Sequence, residues 1–409
     1  MHGAGDHLSI GQRVAFYRVR RGLTQAVLGD LVGKTEDWVS KIERGDRPMD
    51  RISVMVDVAR ALRVNLGDLL GEPVLLEDDD QNDDVPAIRD ALMAPHRLSR
   101  VLFVGPSPHE LPDVQRTADL AEAVWAQYQA GRVGRSVAAL PDLIRAAQAL
   151  EAGEGAERAG AWATSARIHH LAGTTLSKIG EADLAWIAAE RAMGAADRAD
   201  DLLVLASAAR AGTHALLAIG RYDDALQLGA TATSWLTSRI ALSDPAALSL
   251  LGMLNLRMAV AAARRQDRGV RNDLLRKARS AAEQLGEDAN HWQTAFGPTN
   301  VLLHDLSTAL DLGDVSYVIA HGADVTAENL PAERRISHQI DLARAYSFVA
   351  QDSEAVDALL RAERDAPQLV HHSPLVRETV RDIQRRSPVT SGRRGSDFAR
   401  LAERCRAVA

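Results

Sequence analysis

Charged and amide side chains suited to polar contact crowd into one short stretch near the N-terminus. Gln25 is followed by Thr35, Glu36, Asp37, Trp38, Lys41, Arg44 and Arg47. They sit in the pattern Gly11-x-Arg13-Val14-x3-Arg18-x3-Gly22-Leu23-Thr24-Gln25-x2-Leu28-x4-Gly33-x-Thr35-x2-Trp38-Val39-Ser40-Lys41-Ile42-Glu43-Arg44-Gly45-x-Arg47-Pro48. Thr24 and Thr35 stand where N-caps belong, their hydroxyls accepting the first free backbone N–H groups of two helices joined through Gly33. That is a helix-turn-helix. An α-helix fits the roughly 12 Å wide major groove of DNA, which makes Thr35 to Arg44 the candidate reading helix.

Other chemistry has little behind it. No GxxxxGK[ST], GxSxG or HExxH pattern occurs, so nucleotide hydrolysis, acyl transfer and zinc catalysis lack a motif, and the expectation is a non-enzyme. His169-His170 and His371-His372 are adjacent pairs, but neighbours on a helix point about 100° apart, and no carboxylate–histidine spacing completes a site. Neither a metal nor a cofactor is expected. Cys405 is the only cysteine, which excludes an intrachain disulfide and fits a reducing cytoplasm. No window approaches about 18 uninterrupted apolar residues and no signal pattern opens the chain, so no membrane partner is expected.

The elements that must carry these residues are helical. Ala, Leu, Arg and Glu dominate, aromatics are 4%, and no β-type alternation is sustained, so the fold is read as all-α. Val14, Leu23, Leu28, Leu31, Val39, Ile42, Val54, Met55, Val58, Leu62, Leu66 and Leu69 can fill a five-helix N-terminal core. This stretch resembles the lambda-repressor-like, XRE-family DNA-binding domain over nearly all of residues 9–71. The resemblance implies that Gln25 contacts the DNA backbone or an adjacent base. It implies that Thr35, Glu36, Asp37, Trp38 and Lys41 face the groove with Arg44 and Arg47 near phosphates, and that Arg18 and Glu43 form a buried ion pair. Glu36 and Asp37 depart from the family's usual polar or basic choices. Two readings stay open: base readout through cytosine N4, or support of the helix's own positive N-terminal dipole.

Residues 1–71 carry 11 basic and 9 acidic side chains, a balance of +2, whereas the whole chain stands at -7. Glu77 to Asp84 is an acidic run read as a solvated linker, within a 72–112 segment that also holds a short helix at Val85 to Ala94 and several prolines. From residue 113 to 409 the chain reads as helical hairpins: Gly180-x4-Ala185, Gly220-x4-Ala225, Gly313-x4-Val318 and Ala350-x4-Ala355 each follow an apolar helix. The glycine closes the turn, and the small residue five positions on lets the second helix lie close. Such hairpins cannot bury their faces alone and must stack, giving a tetratricopeptide-like α-solenoid with a concave inner surface. Trp162, Trp186 and Trp235 are read as its core.

Trp125-x2-Tyr128-Gln129-x-Gly131-Arg132, Phe296-Gly297-Pro298-Thr299-Asn300-Val301, Asp341-Leu342-Ala343-Arg344-Ala345 and Val376-Arg377-Glu378-Thr379-Val380-Arg381-Asp382 extend the resemblance. The chain is similar to the XRE-tetratricopeptide regulators of actinomycetes and more distantly to the peptide-sensing RRNPP class. In such solenoids the first helix of each hairpin lines the groove, which points Arg210, His214, Asn300 and Arg344 inward, with Arg257 and Asp341 on a looser register. They are candidate ligand residues, with solvated groove-edge charge as the bland alternative. The expected function is a cytoplasmic transcription regulator that binds a double-stranded DNA operator as a homodimer and responds to a peptide or small-molecule effector. The competing reading is an interaction scaffold with an accessory DNA-binding module.

Overall fold

The computed structural model describes residues 9–21, 23–49, 51–62, 64, 69–70, 84–95, 102, 111–153, 157–240, 243–371, 373–386, 393–405 and 407. Among the described residues the chain is all-α, with a helix-turn-helix unit followed by a helical-repeat domain. The first unit holds α1 (Ile10–Arg20), α2 (Gln25–Leu31), α3 (Glu36–Arg44) and α4 (Ile52–Leu62). Leu69 and Leu70 are helical, but the rest of the expected fifth helix, Leu66 included, and the acidic run from Glu77 to residue 83 lie outside the described residues. α5 (Asp84–Leu92) packs on the repeats through Val85, Ile88 and Leu92, and the Gln148 amide donates to the Ala91 carbonyl at 2.6 Å.

Six hairpins follow: α6 (Val114–Gln129) with α7 (Val133–Ala152), α8 (Arg158–Ile179) with α9 (Ala182–Ala196), and α10 (Leu202–Ala218) with α11 (Tyr222–Thr237). Then come α12 (Pro245–Arg264) with α13 (Arg268–Leu285), α14 (Pro298–Asp311) with α15 (Val315–Gly322), and α16 (Ala332–Phe348) with α17 (Asp352–Asp365). α18 (Pro367–His371), α19 (Pro374–Arg386) and α20 (Arg393–Arg404) finish the domain.

One local device closes every hairpin. A residue in the left-handed conformation stands at Gly131, Gly180, Gly220, Gln266, Gly313 and Ala350, with φ between 58° and 88°. The next backbone N–H, on Arg132, Glu181, Arg221, Asp267, Asp314 and Gln351, donates 2.9 Å to the carbonyl five residues earlier. The long gap between Gly220 and Gly313 thus contains a turn, at Gln266. Sequence reasoning had no glycine to mark it. Five residues beyond each turn the side chain is buried: Ser136, Ala185, Ala225, Val318 and Ala355, but Arg271 after Gln266. Arg271 fits because its Nε donates to Thr308 Oγ1 at 2.9 Å and its guanidinium pairs with Asp305.

Stacking carries the superhelix round until its ends meet. The Gly134 N–H donates to Gln368 Oε1 at 2.9 Å, and Lys178 Nζ to Glu333 Oε1 at 2.6 Å. One continuous core joins Trp125, Tyr128 and Leu140 of the first hairpin to Leu359, Val376 and Phe398 of the last helices. The concave surface therefore becomes the inner face of a ring. α12 is long and apolar enough to cross a membrane, and 78% of its apolar window is buried among the other hairpins.

Two core expectations are corrected. Leu31 is 58% exposed because α2 ends there, and Val32 and Trp38 pack on the N-terminal core instead. Trp186 is 37% exposed, since Ala185, Ala188 and Ala189 take the inner face of α9, whereas Trp162 is buried.

The first unit sits on the ring. Ile52 and Val56 of α4 share an apolar cluster with Leu216, Leu217, Tyr222 and Val260, and Arg60 Nη2 donates 2.9 Å to the Gly220 carbonyl. A Cβ on Gly220 would stand 2.3 Å from Val56 Cγ1, whereas one on Gly286 would meet nothing. Both glycines are left-handed, so either change to alanine carries about 1 kcal/mol of backbone strain. Gly220→Ala is expected to cost at least twice as much as Gly286→Ala in denaturant unfolding, and to raise hydrogen exchange in α4. Equal costs would show that α4 does not rest there.

Candidate nucleic-acid interface and inner cavity

The reading helix is held from behind. Gly11 lets α1 cross α3 at backbone contact, since a Cβ there would lie 2.0 Å from the Ile42 carbonyl oxygen. Arg18 grips Glu43 through Nε and Nη2 at 2.5 and 2.9 Å, and its Nη1 donates to the Leu23 carbonyl at 2.8 Å. The Glu43 carboxylate holds the Arg18 guanidinium above its ordinary value. Gln25 Nε2 donates to Glu43 Oε2 at 2.7 Å, so one carboxylate ties α1, α2 and α3 together. Thr24 and Thr35 cap α2 and α3 by accepting from the Val27 and Trp38 N–H groups at 3.1 and 3.2 Å. Gly33 makes the intervening turn at φ 63°.

With Val39 and Ile42 buried, α3 presents its other face outward. Thr35, Glu36, Asp37, Lys41, Arg44 and Arg47 are exposed and Trp38 is half-buried. Gln25 differs, because its amide N–H is engaged by Glu43. Sequence reasoning also missed two ion pairs within the surface: Lys41 Nζ lies 2.7 Å from Asp37 Oδ2, and Arg44 Nε 2.8 Å from Asp46 Oδ2. The first is an i,i+4 pair, a signal available in the sequence. Glu36 and Asp37 occupy the first turn of α3, where carboxylates favour the helix dipole.

Inside the ring, the segment from Gly286 to Gly297 crosses the inner face as a strap. Trp292, Gln293 and Ala295 adopt left-handed backbone, and Phe296 is packed where a Gly252 Cβ would be. Asn290 and Gln129 exchange amide hydrogen bonds at 3.0 and 2.9 Å, and the Arg167 guanidinium lies 4.8 Å from the Trp292 ring centroid. Arg210 donates to the Gln293 and Trp292 carbonyls at 3.1 and 3.2 Å.

The structure separates the six inner candidates. Arg210, His214 and Arg257 line one small recess with Trp125 and the strap; His214, Arg257 and Asp341 line a larger cavity beside it. Asn300 is fully buried against Met253 and the Thr294 carbonyl and reaches neither space. Arg344 is buried, paired with Asp341 at 3.2 Å, and also lines neither. The recess holds residues the sequence did not single out, Glu333 and Arg334 among them, and His170, which sequence reasoning weighed only for a metal. Burial, then the Arg257 and Arg167 charges, brings Arg210 down to about 9; burial and Arg334 bring Arg257 down to about 10. Burial also holds His170 and His214 well below the ordinary histidine range. No group of three or more His, Cys, Asp or Glu suited to a metal occurs among the described residues, and His372 lies outside them.

Residues 9–72 match the family of helix-turn-helix domains, and the unit formed by α1 to α4 is one of these. No curated protein matches the sequence. Among solved structures, the chain is similar to Bacillus thuringiensis PlcR in complex with the peptide PapR7 and DNA, at 15% identity and a TM-score of 0.32, over 68% of this chain and 95% of that one. It is also similar to aspartyl phosphate phosphatase F from Bacillus subtilis, at 13% identity and a TM-score of 0.45, over 89% and 96% of the two chains.

Glu43→Ala would leave the half-buried Arg18 without its carboxylate and is expected to destabilise the helix-turn-helix unit by about 1 to 2 kcal/mol. Thermal unfolding followed at Trp38 measures this, and an unchanged transition would contradict the assigned clamp. His304, buried with Nδ1 2.9 Å from the Asn300 carbonyl oxygen, is lowered to about 3 by burial and by Arg334. Its folded value lies below its unfolded value, so its contribution is full above pH 6.5 and is lost as pH falls below that, by up to about 1.4 kcal/mol per pH unit. His304→Gln should flatten the fall in stability between pH 6.5 and 5; an identical slope would place this titration elsewhere.

Proposed function

We propose that the chain is a sequence-specific transcriptional regulator of the cytoplasm. In this reading residues 1–71 bind a double-stranded DNA operator, residues 72–112 tether them, and residues 113–409 form the homodimer and sense a peptide or small molecule. The observation that carries the reading is the outward face of α3: it is anchored by Val39, Ile42 and Glu43 and offers Lys41, Arg44 and Arg47 beside Glu36 and Asp37. A helix held this rigidly can place base-reading groups in a groove, and exposed cations supply the phosphate attraction. Gln25 contributes through its amide oxygen, which accepts no hydrogen bond among the described residues. Lys41 and Arg44 must exchange Asp37 and Asp46 for phosphate or base edges, a swap that surface pairing of this kind makes inexpensive. Dimerisation follows from the small footprint of one reading helix, which a two-fold partner doubles. Arg210, His214 and Arg257, with Asp341 beside them, are the ligand-facing set, while Asn300 and Arg344 support the wall.

Selection of bound sequences from a random DNA pool, followed by gel-shift titration at several salt concentrations, tests the reading. One enriched sequence is expected, bound with an affinity that falls steeply with salt. Lys41→Ala and Arg47→Ala should each weaken binding about tenfold and reduce the salt slope by roughly one, with helical content unchanged. Glu36→Ala should relax preference at one base pair if it reads cytosine, and leave preference intact if it serves the helix dipole. Failure to enrich any sequence, or wild-type affinity in both basic variants, would remove DNA reading from this surface.

A further inference from the structure

We propose that the larger cavity, about 290 Å³ between the helix-turn-helix unit and the ring, binds a small amphipathic anion, an apolar body carrying one carboxylate or phosphate, and that this ligand clamps the DNA-binding unit onto the repeats. The inference rests on the reading that the helical-repeat domain senses a ligand, and it names the ligand's class and the site's second wall.

The shape of the cavity sets the first half of the argument. Ile52, Met55 and Leu70 of the DNA-binding unit form one wall; Leu217, Val260 and Leu369 of the ring stand opposite. The volume lies at the lower end of the roughly 300 to 1,000 Å³ typical of small-molecule pockets. Because α4 covers it, the space suits a small molecule rather than a peptide.

Charge sets the second half. Burial holds His214, in the cavity wall, well below the ordinary histidine range. The charged groups other than Arg257 that line the cavity have partners: Lys178 bonds to Glu333 and Ser337, Arg264 to Asp311, and Asp341 to Arg344. Arg257 has none of this. Its Nε is shut away from solvent with no hydrogen-bond partner, and no described carboxylate pairs with it. A largely desolvated guanidinium without an ion-pair partner is unfavourable: burial and the Arg334 charge lower its affinity for its proton by more than the nearby Tyr128 and Glu333 raise it. A carboxylate or phosphate in the cavity, which Arg257 lines, would supply the missing counter-charge. Since one of the two apolar walls belongs to the DNA-binding unit, binding is tightest while α4 is docked, so the ligand shifts the population toward that arrangement of the reading heads.

The test uses the full chain with three probes that share one apolar tail: decanoate, decyl phosphate and uncharged decanol. Isothermal calorimetry should show saturable binding of at least one anion, at least tenfold tighter than decanol, and the preferred anion distinguishes a carboxylate from a phosphate source. Arg257→Met should erase the preference over decanol while raising the ligand-free melting temperature, because it removes a desolvated charge that has no ion-pair partner. Ile52→Ala, on the wall supplied by the DNA-binding unit, should weaken anion binding about fivefold. Phe16→Ala, exposed on the same unit away from the cavity, should not. No saturable anion binding, an unchanged preference in Arg257→Met, or full affinity in Ile52→Ala would overturn the inference. Operator binding by the ligand-free chain is measured separately. A chain that binds DNA but neither anion keeps the regulator reading and loses the cavity. One that binds an anion without changing operator affinity by more than about twofold keeps the cavity and loses sensing.

Discussion

Each hairpin of the repeat domain buries only one face of its helices, and the stacking that this forces is what the rest of the molecule depends on. The geometry of that stacking is set at the turns. A single left-handed residue followed by the same backbone hydrogen bond fixes how each second helix returns along the first. Six repeats of that angle bring the last hairpin back to the first, where Gln368 and Lys178 stitch the seam. Closure turns a concave wall into an interior, and everything polar on that wall becomes subject to burial.

The consequences are electrostatic. Arg210, Arg257, Arg334 and Lys178 would be ordinary on an open groove; inside the ring each requires a partner. Glu333 serves two of them, Lys178 and Arg334, and for that reason stays ionised well below the usual carboxylate range despite its burial. Arg210 leans on strap carbonyls in place of a carboxylate. The strap itself holds three non-glycine residues in left-handed backbone, conformations that persist only where surrounding contacts overdetermine them. The Arg167 stack on Trp292 and the paired amides of Asn290 and Gln129 are those contacts.

The helix-turn-helix unit follows the same logic on a smaller scale. Its core is thin, so one carboxylate, Glu43, does what packing does elsewhere: it joins Arg18 of α1 and Gln25 of α2 to the inner side of α3. The opposite side of α3 is thereby left rigid and unoccupied. α4 plays no part in that surface and instead faces the ring, so the two faces of this unit serve separate tasks.

Much of this was legible in the chain. The N-caps Thr24 and Thr35, the Gly33 turn and the glycine-marked hairpins follow from local stereochemistry, which spacing alone encodes, while the Arg18–Glu43 pair was implied by the resemblance to the lambda-repressor-like domain. The turn at Gln266 was not, because a left-handed glutamine leaves no composition signal and is held there by its fold, its amide bonding the Asp311 carbonyl at 3.0 Å. Nor could periodicity decide which inward-pointing side chains reach open space. Arg210, Asn300 and Arg344 were all expected to point inward, yet only Arg210 reaches a recess, beneath the strap, and neighbouring helices bury the other two. Sequence determined the elements and their faces, since those depend on residues a few positions apart. The cavity, its Arg257 without an ion-pair partner and its wall of Ile52 and Met55 depend on groups some two hundred residues apart in the chain, and only the closure of the ring and the docking of α4 brought them together.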